Sequence, residues 1–99
     1  MTTHELKVWP SYYEAIVRGE KRFEARQDDR GFQVGDVLLL REWDPSSGGT
    51  HSPSSPAYEL PAGYTGRSSR WCVTYLLRGP GFGVEAGHVV MSIAPEVAT

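Results

Sequence analysis

Cysteine is nearly absent from this 99-residue chain, and lysine is scarce. With Cys72 alone, no internal disulfide can form, so the fold must hold by packing and hydrogen bonding, and a reducing compartment suits it. No stretch approaches the roughly 18 apolar residues of a membrane span. The N-terminus also lacks a charged segment leading into an apolar one. A soluble, cytoplasmic protein without membrane attachment is therefore expected. Metal ligands are few, since His4, His51, Cys72 and His88 show no zinc-type spacing, and neither a metal nor a cofactor is expected. Gly19-Glu20-Lys21 lacks the second glycine and the hydroxyl of a phosphate loop, and no serine sits in a Gly-x-Ser-x-Gly elbow. An excess of positive charge is missing too, with 10 Lys and Arg against 12 Asp and Glu for a net charge of −2. Bulk electrostatic capture of nucleic acid is thereby disfavoured, because counterion release needs clustered cations.

What is present is an ordinary globular composition, 39% hydrophobic, in a chain long enough for one domain (1–99) with one modest core. Eight of the ten cations are arginines, whose planar forks pair with carboxylates and phosphates and stack on rings. His4 to Val8 alternates in the manner of a short half-buried strand. Pro10 or Ser11, with Glu14 following, then starts a helix over about Ser11 to Arg18. Tyr13, Ile16 and Val17 form its predicted core stripe, and Gly19 its left-handed cap.

Period two returns from Lys21 to Gln27, with Phe23 and Ala25 on one face and Arg22, Glu24 and Arg26 on the other. Val37 to Trp43 reads as a strand whose three leucines imply burial on both faces. Asp44 to Gly66 holds 13 Ser, Pro or Gly among 23 residues and reads as a long loop, centred on about 45–63. Arg70 to Arg78 is a strand with Trp71, Val73, Tyr75 and Leu77 on one face, and His88 to Ile93 is the last strand. About five to six strands with one early helix predict a mostly β (α+β) fold, a small, mostly antiparallel barrel or curled sheet.

Two clusters carry candidate chemistry. The first is Gly19 to Arg26, where Glu24 and Arg26 share a strand face and Lys21 stands at the strand entrance. Either these charges form a solvated ladder, or they line a cleft in which carboxylate and guanidinium fix each other while reading a polar ligand. The second is Glu42-Trp43-Asp44 with Tyr64-Thr65-Gly66-Arg67, where an aromatic beside an arginine suits stacking and hydrogen bonding of a base.

The run Gly19-x-Lys21-x-x-Glu24-x-Arg26 after a short helix resembles the signature of ASCH domains in the PUA-like superfamily. His4-Glu5-Leu6-Lys7, Asp29-Arg30-x-Phe32-x-Val34-Gly35-Asp36, Glu42-Trp43-Asp44, Tyr64-Thr65-Gly66-Arg67, Val73-Thr74-Tyr75 and Gly87-x-Val89-Val90-Met91 extend the resemblance to the branch called domain of unknown function 3850. The resemblance implies a PUA-like pseudo-barrel with the helix over one end, and a cleft beside the signature strand that handles RNA or a modified nucleoside. Carried over by position, Lys21, Glu24 and Arg26 would contact the ligand. The expected binding set is Lys21, Glu24, Arg26, Arg30, Trp43, Tyr64 and Arg67, with a stacking ring from Trp43 or Tyr64. The alternative is a small amidohydrolase acting on a modified nucleoside, since some ASCH relatives resemble amidohydrolases, with Lys21 as base or activator, Glu24 positioning it, and Thr65 or Thr74 assisting. A third possibility is an interaction protein whose charge ladder only faces water.

Overall fold

The computed structural model describes residues 1–46, 51–52, 55–59 and 62–96, and the side chains of 1–46 and 62–96. The elements in chain order are β1 (Thr3–Val8), α1 (Pro10–Val17), β2 (Phe23–Gln27), β3 (Val37–Trp43), β4 (His51–Ser52), β5 (Ser55–Glu59), β6 (Tyr64–Arg78) and β7 (His88–Pro95). Five strands form one curled sheet in the order β1-β3-β6-β7-β2, and β4 pairs with β5 in a separate ribbon. Only the β1–β3 pairing is parallel, with Leu6 beside Leu40 and Val8 beside Glu42; β3–β6, β6–β7 and β7–β2 are antiparallel. The result is the curled sheet that the strand pattern predicted, a small pseudo-barrel in half-closed form.

The alternation of β1 buries His4, Leu6 and Val8 and leaves Glu5 and Lys7 outside. Pro10 occupies the first position of α1 after Trp9, which caps with no side-chain hydrogen bond, so of the two predicted starts the proline version forms. Gly19 follows with φ 79°, a left-handed conformation in which a side chain would be strained. Tyr13 and Ile16 pack into the core. Val17, expected in the same stripe, is exposed, because the eight-residue helix ends there and Val17 lies about 100° around the axis from Ile16. In β3, Leu38 and Leu40 are fully buried while Leu39 is only partly covered, so burial on both faces is incomplete. Phe32, Ile16, Leu38, Leu40, Met91, Val73 and Val89 are the largest fully buried side chains. Each contributes about 1.5–3 kcal/mol by leaving water.

Two further expectations are corrected. The stretch from Asp44 to Gly66 is not all loop, since it contains β4 and β5, and β6 begins at Tyr64 rather than Arg70. Its Ser and Pro content misleads because loop-like composition does not exclude short paired strands. The rest of the predicted 45–63 loop at 47–50, 53–54 and 60–61 lies outside the described residues. In β6 the expected aromatic face is broken by a register shift between Val73 and Tyr75. Val73 is buried and Tyr75 exposed, while Leu76 packs on the core, as an extra residue in a strand moves the following side chains to the other face.

The sheet's two edges, β1 and β2, share no backbone ladder. Arginines bridge the gap. Arg26 Nη2 donates to the Lys7 carbonyl, and Arg30 Nη1 donates to the Glu5 carbonyl at 2.8 Å. These two carbonyls are two residues apart on one strand, so they point the same way and would otherwise be bare edge acceptors.

Candidate functional site

The charged face of β2 points inward. Glu24 is buried, and its carboxylate is held from both sides: Lys21 Nζ donates to Oε1 at 2.8 Å and Arg26 Nε donates to Oε2 at 2.7 Å. Side-chain exposure is 5% at Glu24, 16% at Lys21 and 27% at Arg26. A surface ladder would leave all three wet, so the cleft geometry is the one that forms. Lys21 Nζ also donates to the Phe23 carbonyl at 2.8 Å and lies 4.7 Å from the centre of the Phe23 ring and 5.6 Å from that of Tyr12. Gly19 permits this arrangement by turning the chain from α1 back toward β2.

The cleft beside this triad has a volume of about 590 Å³ and lies between the end of β1, the start of α1 and β2. Trp9 and Tyr12 form one wall, stacked with ring centres 6.2 Å apart and planes within 9° of parallel, and each is half-exposed. Phe23 adds a third half-exposed ring. Lys7, on the outer face of β1, completes the rim. Parallel rings at a wet cleft beside fixed donors and an acceptor suit a flat, polar, heteroaromatic ligand.

The remaining predicted residues stand elsewhere. Arg30 closes the sheet seam by its bond to Glu5 and lines a smaller cavity of about 190 Å³ with Leu6, Arg26 and Phe32. Trp43 and Tyr64 pair across β3 and β6. Their rings take Lys7 Nζ at 4.9 and 5.8 Å, and Arg41 lies 3.9 Å from the Tyr64 ring centre, outside the cleft. Trp43 is therefore not the ring that lines the cleft; Trp9 and Tyr12 take that place. Trp9 and Tyr12 stand three apart at a helix start, where side chains at that spacing are neighbours, and that spacing was the available signal.

Arg67 pairs with Glu14 of α1 and lies 3.6 Å from buried Glu42, whose other oxygen accepts from Thr65 Oγ1 at 2.7 Å. The Arg67 hydrogen bond and charge hold the Glu14 carboxyl below its usual range, and Glu14 raises the Arg67 guanidinium in turn. This second cluster fastens the helix to β3 and β6. Thr74, by contrast, is exposed and donates to the Ser92 carbonyl at 3.2 Å. At another place in the barrel His4 Nε2 lies 2.8 Å from Asp36 Oδ2, and the Thr2 and Gln33 amides also donate to Asp36. Burial pushes the Asp36 carboxyl up, but those hydrogen bonds outweigh it and hold the group below its ordinary value.

Among the described residues no three His, Cys, Asp or Glu side chains gather as a metal-binding group, and Cys72 is a partly covered free thiol. No described helix is long and apolar enough to cross a membrane. The model of the family described as Domain of unknown function (DUF3850) matches residues 3–93. A protein of Escherichia phage P2, described as an uncharacterized 12.9 kDa protein in the GpA 3′ region, is 42% identical over 40 residues. That match covers 40% of this chain and only 37% of the phage protein's length.

Proposed function

We propose that this chain, which belongs to the DUF3850 family, is an RNA- or nucleotide-binding module of the ASCH/PUA-like type, with its ligand in the β1–α1–β2 cleft. The observation that carries this reading is the buried Glu24 carboxylate, fixed between Lys21 and Arg26 beside the half-exposed Trp9 and Tyr12 rings. A base stacks on the aromatic wall while Lys21 and Glu24 meet its polar edge. Pairing the charges beforehand lowers the ordering cost of binding and sets their directions, so the contact is selective rather than strongly electrostatic. The test is a titration of labelled single-stranded and structured RNA at two salt concentrations, with Trp9→Ala alongside. Binding should appear in the micromolar range and weaken roughly fivefold or more without the Trp9 ring, since stacking on one base is worth about 1–3 kcal/mol. Absence of binding up to tens of micromolar would refute it.

A second reading is favoured by the burial of Lys21, which a nucleoside amidohydrolase would need. Here Glu24 would position Lys21, and Lys21, having passed a proton to Glu24, would take one from the water attacking the exocyclic amide carbon and return it to the amine that leaves as the C–N bond breaks. Incubation with a panel of N-acylated nucleosides decides it: deacylation that disappears in Lys21→Met supports hydrolysis, and an untouched panel leaves binding alone.

A further inference from the structure

We propose that Lys7 is a phosphate-binding residue of the cleft, so that its ligand carries a phosphate rather than being a bare nucleoside. This rests on the reading of the cleft as a base-binding site. The ten cations can be followed one by one. Arg18, Arg41, Arg70 and Arg78 donate to Glu20, Glu5, Glu96 and Asp28. Arg67 is bound to Glu14, and Lys21 and Arg26 share Glu24. Arg22 and Arg30 donate to the Gly19 and Glu5 carbonyls. Among the described residues Lys7 is the one cation whose charged head donates to no protein acceptor.

That head rests on the Trp43 and Tyr64 rings, which stand outside the cleft that Lys7 helps to line. Lys7 lines the cleft with Lys21 and Arg26 against the single carboxylate of Glu24, so the cleft carries an excess of two positive charges in a protein whose net charge is −2. Its ammonium lies over the Trp43 and Tyr64 rings, 4.9 and 5.8 Å from their centres. Such exposed contacts hold a lysine in one region of the surface but are weak beside a charge-assisted hydrogen bond to phosphate. The ammonium can therefore leave the rings for an oxyanion without breaking a hydrogen bond to any of the described residues. Lys21, Arg26 and Arg30, by comparison, would each have to give up a carboxylate or a backbone carbonyl.

A base on the Trp9–Tyr12 wall and a phosphate at Lys7 describe a nucleotide, either free or as one unit of an RNA. Calorimetric titration of the intact chain with the four ribonucleosides, their 5′-monophosphates and a short single-stranded oligoribonucleotide, at low and moderate salt, tests this. At least one monophosphate should bind roughly tenfold more tightly than its nucleoside, and added salt should reduce the difference. In Lys7→Met that preference should shrink to about twofold or less, and Lys7→Arg should keep it. A tighter oligonucleotide points to RNA as the source of the phosphate, and parity points to a free nucleotide; both support the proposal. Equal binding of nucleoside and monophosphate, or a preference that survives Lys7→Met, would overturn it while leaving the base-binding cleft in place. Failure of every compound to bind would overturn both.

Discussion

Replacing Glu24 by glutamine measures whether the charges of β2 are a built site or a surface ladder. The carboxylate is 95% buried by its side chain and bridges two cations at 2.8 and 2.7 Å, so the amide would satisfy one of them and direct its own N–H groups at the other. Removing one member of a fully buried pair costs about 3–5 kcal/mol. Lys21 and Arg26 retain 16% and 27% exposure, so water compensates in part, and about 2–3 kcal/mol is expected. An exposed ladder would lose only about 0–1 kcal/mol. In urea, with a slope of about 1–1.5 kcal/mol per molar for a domain this small, the midpoint should fall by about 2 M. The thermal midpoint should fall by roughly 10–20 °C. Adding Lys21→Met to Glu24→Gln should cost less than the two changes summed, because the second removes a cation the first has left unpaired. A loss for Glu24→Gln below about 1 kcal/mol, with strict additivity in the double variant, would refute the buried-triad account.

Two further outcomes follow from other parts of the barrel. Because Asp36 titrates lower in the folded chain than in the unfolded one, its contribution is present above the unfolded value of about 4 and is lost as pH falls through the folded value. Denaturation followed from pH 6 to pH 2 should therefore show a steeper loss of stability in the natural protein than in Asp36→Asn, and parallel curves would disprove the assignment. Gly63 has φ 93°, and a Cβ there would stand 1.9 Å from Trp43 Nε1, so Gly63→Ala combines left-handed strain with a clash against an indole. It should cost about 2 kcal/mol or more and shift the tryptophan emission; unchanged stability and emission would contradict the packing described at Trp43.

Periodicity made the strands of the main sheet legible, because alternation in β1 and β7 follows directly from one buried face. The helix start was legible at Pro10, whose ring tolerates only the first turn. Reading failed where alternation is interrupted. The register shift in β6 exchanges the faces around Tyr75, and no residue type there announces it. Val17 failed for a different reason, since periodicity assigns a stripe but cannot say how far the neighbouring sheet reaches under it.

At the site, sequence alone determined the residue set Lys21, Glu24 and Arg26, and their common strand face, because side chains two apart in a strand must share a side. Whether that face met water or the barrel interior was undetermined, as mutual neutralisation makes three charged residues compatible with either. Only the tertiary structure decided it. Curling of the sheet brought β2 toward β1, buried Glu24, turned Arg26 and Arg30 onto bare edge carbonyls, and set Trp9, Tyr12 and Lys7 around the triad from a different segment. Those contacts join residues far apart in the chain, and their strength comes from exclusion of water, which depends on the closed surface and not on any local run of residues.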